Sequence, residues 1–261
     1  MTESKSTPQQ KQFKILLIGD DCLDVYQYGT VDRINPEAPV PIFKFSHEER
    51  RAGMAGNVLN NFETLGCDVD YLHSETSTKT RLIDIRSKQH IVRIDDDKQC
   101  LPVTTKLVFE KEFDAIVISD YDKGTVSYEL IDELINTYSC PIFIDTKKTD
   151  LARFEGCIIK INLLEYNKLI SAPSENTDLI ITHGDKGVVW AAHYIKPIKV
   201  DVSDVCGAGD TFLAALVYKY LHNYNMLESI KFANKASSIT VQHLGVYAPT
   251  LEEIDNVREL D

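Results

Sequence analysis

The chain has 261 residues, 43% of them hydrophobic, which suits one folded domain with a sizeable core. Its formal charge of −12 disfavours non-specific binding to nucleic acid or anionic membranes, while leaving room for a local basic pocket. No apolar run nears the roughly 18–20 residues that span a bilayer. The six cysteines are scattered without a Cys-x-x-Cys pair, so neither a zinc site nor a disulfide framework is indicated, and the thiols read as those of a reduced, cytoplasmic protein.

The polar start, Met1 to Gln12, lacks the apolar core of a signal peptide and reads as a flexible tail before a domain over residues 13–261. Ile15 to Ile18 is a short apolar run ending in Gly19-Asp20, the pattern of a buried strand. Val40 to Phe45, after Pro39, reads as extended. Gly53 to Leu65 carries Val58, Leu59, Phe62 and Leu65 at helical spacing, with Gly66 as its stop. Arg81 to Ile94 alternates in places and, with the earlier extended segment, predicts a small β-lid over about 25–50 and 80–96. Further apolar runs at Ala115–Ile118, Pro141–Ile144, Ile158–Ile161 and Leu179–Ile181 each end in polar or glycine residues. A helical pattern from Leu130 to Tyr138 separates the first two, and another spans Leu227 to Leu244. Short strands alternating with helices predict an α/β fold, a doubly wound and mainly parallel sheet, with ligands beyond the carboxyl ends of the strands.

The strongest chemical signal is Asp201 to Phe212, in which Gly207-Ala208-Gly209-Asp210 opens an apolar helix marked by Phe212, Leu213, Leu216, Val217 and Tyr220. A helix N-terminus offers unpaired N–H groups and the positive end of the dipole, and small residues let phosphate oxygens approach them. Gly207, Ala208 and Gly209 are thus candidates for an anion hole, and Asp210 for a base that accepts the proton of an attacking hydroxyl. Composition alone supports equally a tight turn with Asp210 as a helix cap.

Gly-Ala-Gly-Asp after an Asp-x-x triplet resembles the signature of the ribokinase/PfkB carbohydrate kinases. Other segments follow in that family's order: Gly19-Asp20 with Leu23-Asp24, Gly53 with Asn57-Val58, Thr78-Lys79 with Arg81, Arg93-Ile94-Asp95, Ser119-Asp120-Tyr121 with Lys123-Gly124, Ile144-Asp145 with Lys147, Asn162 with Glu165, Thr182 with Gly184 and Gly187, and Phe232-Ala233-Asn234. Pro36-Glu37-Ala38-Pro39-Val40-Pro41 resembles the bacterial heptose-7-phosphate kinase branch, whose product is a lipopolysaccharide precursor. The resemblance implies a ribokinase-like fold and transfer of the γ-phosphoryl group of ATP, with Mg²⁺, to O1 of D-glycero-D-manno-heptose 7-phosphate. It implies sugar contacts by Asp20, Asp24, Gly53 and Asn57, and a cationic grip on the substrate phosphate by Lys79, Arg81, Arg93 and Lys123. It implies nucleotide contacts by Lys147, Asn162, Glu165, Thr182, Gly184, Gly187 and Asn234, with Glu165 meeting the metal through water. It also implies a homodimer through the lid, and the acidic charge speaks against a nucleic-acid or membrane partner.

The sequence departs from the family pattern in places. Met54 stands where a second glycine is usual, Gly56 where alanine is usual, and Cys206 where threonine is usual. The connections between Leu72 and Thr78 and between Ile170 and Thr177 are shorter than the family's, each lacking a helix. These departures keep two other readings open: a kinase for a different sugar or a nucleoside, and a non-catalytic sugar or nucleotide sensor.

Overall fold

The computed structural model describes residues 12–104 and 111–258. The expected tail, apart from Gln12, lies outside the described residues. The elements in chain order are β1 (Lys14–Gly19), β2 (Asp21–Ile34), β3 (Pro41–Met54), α1 (Ala55–Thr64), β4 (Asp68–Leu72), β5 (Thr76–Asp84) and β6 (His90–Asp96). Then come β7 (Ala115–Asp120), α2 (Tyr128–Thr137), β8 (Ile142–Thr146), β9 (Ile158–Asn162), α3 (Leu163–Tyr166), β10 (Asp178–Thr182), β11 (Val188–Trp190) and β12 (His193–Ile195). Helices α4 (Ala208–Asn223), α5 (Met226–Thr240) and α6 (Leu251–Asp255) follow.

The main sheet runs β12-β11-β10-β9-β8-β7-β1-β4; its pairs from β10 to β4 are parallel, and the two at the β12 edge are antiparallel. Both faces are covered, which explains the unbroken apolar runs. Ile15 and Leu17 pack with Val58, Phe62, Leu213 and Leu216 on one side, while Leu16 and Ile18 pack with Leu130, Ile131 and Leu134 on the other. The expected doubly wound sheet is present.

A second, four-stranded sheet, ordered β3-β2-β5-β6, stands beside the first. Its long strand β2 has no clear alternation in the sequence. The reason is chemical: one face, through Asp24, Tyr26 and Arg81, turns a buried polar surface toward Cys206 and the start of α4. Val92 and Ile94, which pair with Leu82 and Thr80, leave 46% and 56% of their surface exposed on the other face.

The helix expected from Gly53 starts two residues later. Gly53 and Met54 end β3, paired with Cys22 and Asp21. Met54 is held at φ 51°, ψ −131° and is only 5% exposed. That backbone region is open to glycine and strained for other residues, at a cost of about 1–3 kcal/mol. Replacing Met54 by glycine relieves strain but also loses its burial, worth about 1.5–3 kcal/mol, so the comparison that isolates strain is glycine against alanine. Met54→Gly is expected to be more stable than Met54→Ala by about 1 kcal/mol or more, the reverse of the usual order. Urea midpoints of the two variants check this; equal midpoints would remove the strain.

Candidate active site

Gly207 caps α4 with φ 77°, and a Cβ there would stand 2.7 Å from Asn57 Nδ2, so the loop closes onto α1 only with glycine. Asp204 braces the loop by accepting from the N–H groups of Cys206 (3.0 Å) and Gly245 (2.9 Å). The Ala208 N–H makes only a long bond to the Val205 carbonyl, 3.4 Å. The start of α4 therefore presents its dipole and amides at the carboxyl end of the main sheet.

Asp210 lies in the first turn of α4 and is 4% exposed. Its Oδ2 accepts from Asn57 Nδ2 at 2.9 Å, and its Oδ1 accepts from the Tyr121 hydroxyl at 2.7 Å. Burial pushes its carboxyl up to about 6, against the two hydrogen bonds, which favour the ionised form. That places it where a general base works near neutral pH.

Lys160 reaches the same place from β9. Its Nζ is 3.0 Å from where a Cβ on Gly209 would stand, and it pairs with Asp145 Oδ2 at 2.5 Å. Burial alone would lower the Lys160 ammonium, but the Asp145 carboxylate more than offsets this and the net direction is upward. A permanent positive charge thus sits against the anion loop. Lys147 Nζ lies 3.0 Å from Glu165 Oε1 and 4.8 Å from the centre of the Tyr121 ring.

Asn162 and Glu165 form a capping box on α3: each side chain accepts from the other's backbone N–H, at 2.9 and 2.8 Å. Thr182 ends β10, and Gly184 and Gly187 bracket a 3₁₀ turn. Asn234 Nδ2 donates to the Lys196 carbonyl at 2.8 Å and lines a cleft of about 980 Å³ with residues 193–199, Leu227 and Lys231. Asp210 does not line this cleft, but Ser237, one turn along α5 from Asn234, donates to the Ala208 carbonyl at 3.1 Å and ties its wall to the anion loop.

On the second sheet, Asp24 and Arg81 form a buried ion pair, and Arg81 Nη2 lies 3.8 Å from Cys206 Sγ. A Cβ on Gly53 would collide with the Asp24 carboxylate, so the glycine gives that carboxylate its place. Lys79 pairs in register with Asp24 on one side and Asp95 on the other, and Arg93 opposes Arg81, which puts all of these on the inward face.

Three of the expected contact residues carry protein partners of their own. Asp20 accepts from the backbone N–H groups of Tyr121, Lys123 and Thr125 and so shapes that loop. Lys123 pairs with Asp97 at 2.5 Å, and Arg93 pairs with Asp95 at 2.8 Å at the exposed end of the inward face. Tyr121, Asp145 and Lys160 were not singled out as site residues in the sequence. Lys160 had a signal: a charged residue in the middle of the apolar run Ile158–Ile161, in a strand buried on both faces.

Comparison with known proteins fits this geometry. Residues 162–254 match the profile described as pfkB family carbohydrate kinase. Across 93% of its length the chain is 32% identical to the bifunctional protein HldE of a Nitratiruptor species and 30% identical to that of Hydrogenovibrio crunogenus. Over residues 162–254 the chain is thus similar to the pfkB family of carbohydrate kinases. It spans 64% and 62% of the length of those two relatives. The fold of the chain is shared with phosphofructokinase-2 of Escherichia coli in complex with potassium, at a TM-score of 0.73, 14% identity and coverage of 94% and 97% of the two chains. It is shared too with Arabidopsis thaliana ribokinase complexed with ribose and ATP, at a TM-score of 0.69, 16% identity and coverage of 94% and 98%. Among the described residues no helix is long and apolar enough to cross a membrane.

Proposed function

We propose that this chain is an ATP-dependent sugar kinase that transfers the γ-phosphoryl group to a hydroxyl of a sugar phosphate, O1 of D-glycero-D-manno-heptose 7-phosphate. The observation that carries the reading is Asp210: a buried carboxylate, pushed up to about 6, in the first turn of a helix whose N-terminus is built of Gly207, Ala208 and Gly209. The heptose acceptor draws support from Pro36–Pro41 and from the similarity to the HldE proteins.

In this mechanism the acceptor hydroxyl gives its proton to Asp210 as its oxygen bonds to the γ-phosphorus, and the bond to the departing ADP oxygen breaks. The amides at the start of α4 and the Lys160 ammonium face the charge on the transferring group, in a site where both are already ordered. Asp24, placed by Gly53, holds sugar hydroxyls, and Lys79 with Arg81 answers the acceptor's own phosphate. The nucleotide lies along Asn162, Thr182 and Gly184–Gly187, with its base toward the Asn234 cleft and Lys147 toward its phosphates.

A magnesium ion fits the donor set as an ion carried on the triphosphate and met through water. Among the described residues no three His, Cys, Asp or Glu side chains group to hold a metal, and Glu165 is the carboxylate nearest that role. Such an ion would supply charge neutralisation on the phosphates.

The test is ADP release by purified protein with Mg-ATP and heptose 7-phosphate, beside other sugar phosphates and nucleosides. Turnover with heptose 7-phosphate above the rest supports the reading. Preference for another acceptor would move it to the second reading, which Met54 and the three-residue connection from β4 to β5 favour. No ADP with any acceptor would sink the kinase.

The lid gives the chain a second copy as partner. Val92, Ile94 and Phe45 (56% exposed) leave apolar surface on the lid, and β3 and β6 are its open edges. Sedimentation at micromolar concentration is expected to give a dimer, and Ile94→Glu a monomer. A wild-type monomer would refute the assembly.

A further inference from the structure

We propose that Tyr121 is the positioning residue for the base: its hydroxyl fixes the Asp210 oxygen that takes the acceptor's proton and keeps that carboxylate ionised. The inference rests on the kinase reading of Asp210 and adds a residue to it.

Four groups face the Asp210 carboxylate. Asn57 comes from α1, Tyr121 from the loop after β7, Asp145 from β8 and Lys160 from β9. Two of these are direct hydrogen-bond donors, one to each oxygen. Asn57 is fully buried, and its amide donates to Oδ2 at 2.9 Å. On this reading the acceptor hydroxyl comes to Oδ1, on the side of the partly exposed Tyr121 residue. A carboxylate oxygen has two lone-pair directions. The Tyr121 hydroxyl occupies one at 2.7 Å, leaving the other for the acceptor. The base therefore works from a fixed oxygen in a fixed direction, the preorganisation a proton transfer requires.

The ring is itself held. Asp20 accepts from the Tyr121 N–H at 2.8 Å, and the Lys147 ammonium sits 4.8 Å from the ring centre. Asp20 thereby sets the loop that aims Tyr121. Burial and the neighbouring Asp210 hold the phenol well above its ordinary range, so Tyr121 stays a donor throughout the working pH. Its bond favours the ionised form of Asp210, as does the bond from Asn57, while Asp145 opposes and Lys160 assists.

Tyr121→Phe removes only the hydroxyl and keeps the ring under Lys147. Losing a hydrogen bond to a buried carboxylate is expected to raise the Asp210 titration by about one pH unit or more. The acid limb of kcat/KM, near pH 6 in the wild type, then moves up by the same amount, kcat at neutral pH falls about tenfold or more, and the KM for Mg-ATP stays unchanged. The direct readout is the carboxyl carbon signal of Asp210, in protein labelled at aspartate and assigned with Asp210→Asn, followed from pH 4 to 9 in wild type and Tyr121→Phe. An upward displacement of that titration supports the proposal whether or not an acceptor is in hand. An unchanged titration overturns it, as does a wild-type pH profile in a Tyr121→Phe enzyme whose turnover still depends on Asp210. If the wild type releases no ADP with any acceptor, the kinase reading fails separately, and the carbon titration still decides the Tyr121–Asp210 coupling.

Discussion

Asp210→Asn is expected to lower kcat by about 10²–10⁴-fold while leaving the protein folded, because general-base catalysis is worth that much and the amide has the shape of the carboxylate. In the wild type, activity should rise with pH through about 6 and then level, since Asp210 must be ionised to accept a proton. The same change should stabilise the fold at neutral pH. Sign matters here. A carboxyl near its ordinary 3.8 in the unfolded chain and near 6 in the folded one binds protons more tightly when folded. Folding is therefore unpenalised below 3.8, progressively penalised between 3.8 and 6, and fully penalised above 6. The penalty is on the order of 3 kcal/mol, and Asn has none of it. Thermal unfolding of Asp210→Asn should thus show its largest gain near pH 7 and none near pH 3.5. Turnover in Asp210→Asn equal to wild type would remove Asp210 as the base.

Lys160→Met should be the most destabilising single change in the site. It leaves Asp145 buried without its partner, and breaking a buried pair from one side costs about 3–5 kcal/mol. Burial already raises the Asp145 carboxyl, which Lys160 only partly offsets, so the unpaired residue would take up a proton more readily still. Replacing both partners separates structure from chemistry. Asp145→Asn with Lys160→Met should recover most of the stability, because an uncharged pair of similar volume has no desolvation cost to offset. Its turnover should remain about 10²–10³-fold down, the loss typical when one fixed donor to a developing charge is removed. Denaturation midpoints and ADP release on the two variants decide this. A stable double variant with wild-type turnover would make the pair purely structural.

How much of this site was legible in the sequence follows from the range over which each interaction acts. The loop Gly207–Asp210 and its helix were readable because a phosphate loop needs contiguous small residues and an apolar stripe behind them. The parallel strands were readable because burial on both faces forces an unbroken apolar run, as in Ile15–Ile18 and Ala115–Ile118. Strand β2 was not, because its inward face carries Asp24 and Tyr26, and function overrides the alternation that marks a strand.

Contiguity, local period and the choice of residue at a turn fix secondary elements, and those the sequence by itself determined: an α/β chain, a helix-borne anion loop and a family pattern around Asp210. Tertiary structure alone decided which groups meet that carboxylate. Asn57 and Tyr121 stand 153 and 89 residues from Asp210 in the chain yet donate to its two oxygens. Lys160 and Asp145 come from neighbouring strands to charge the floor beneath Gly209. It decided equally that Asp20 holds backbone amides and that Lys123 and Arg93 point to nearby carboxylates. A side chain's partner depends on distances set by the packed sheet and helices, and such distances leave no mark in the local sequence.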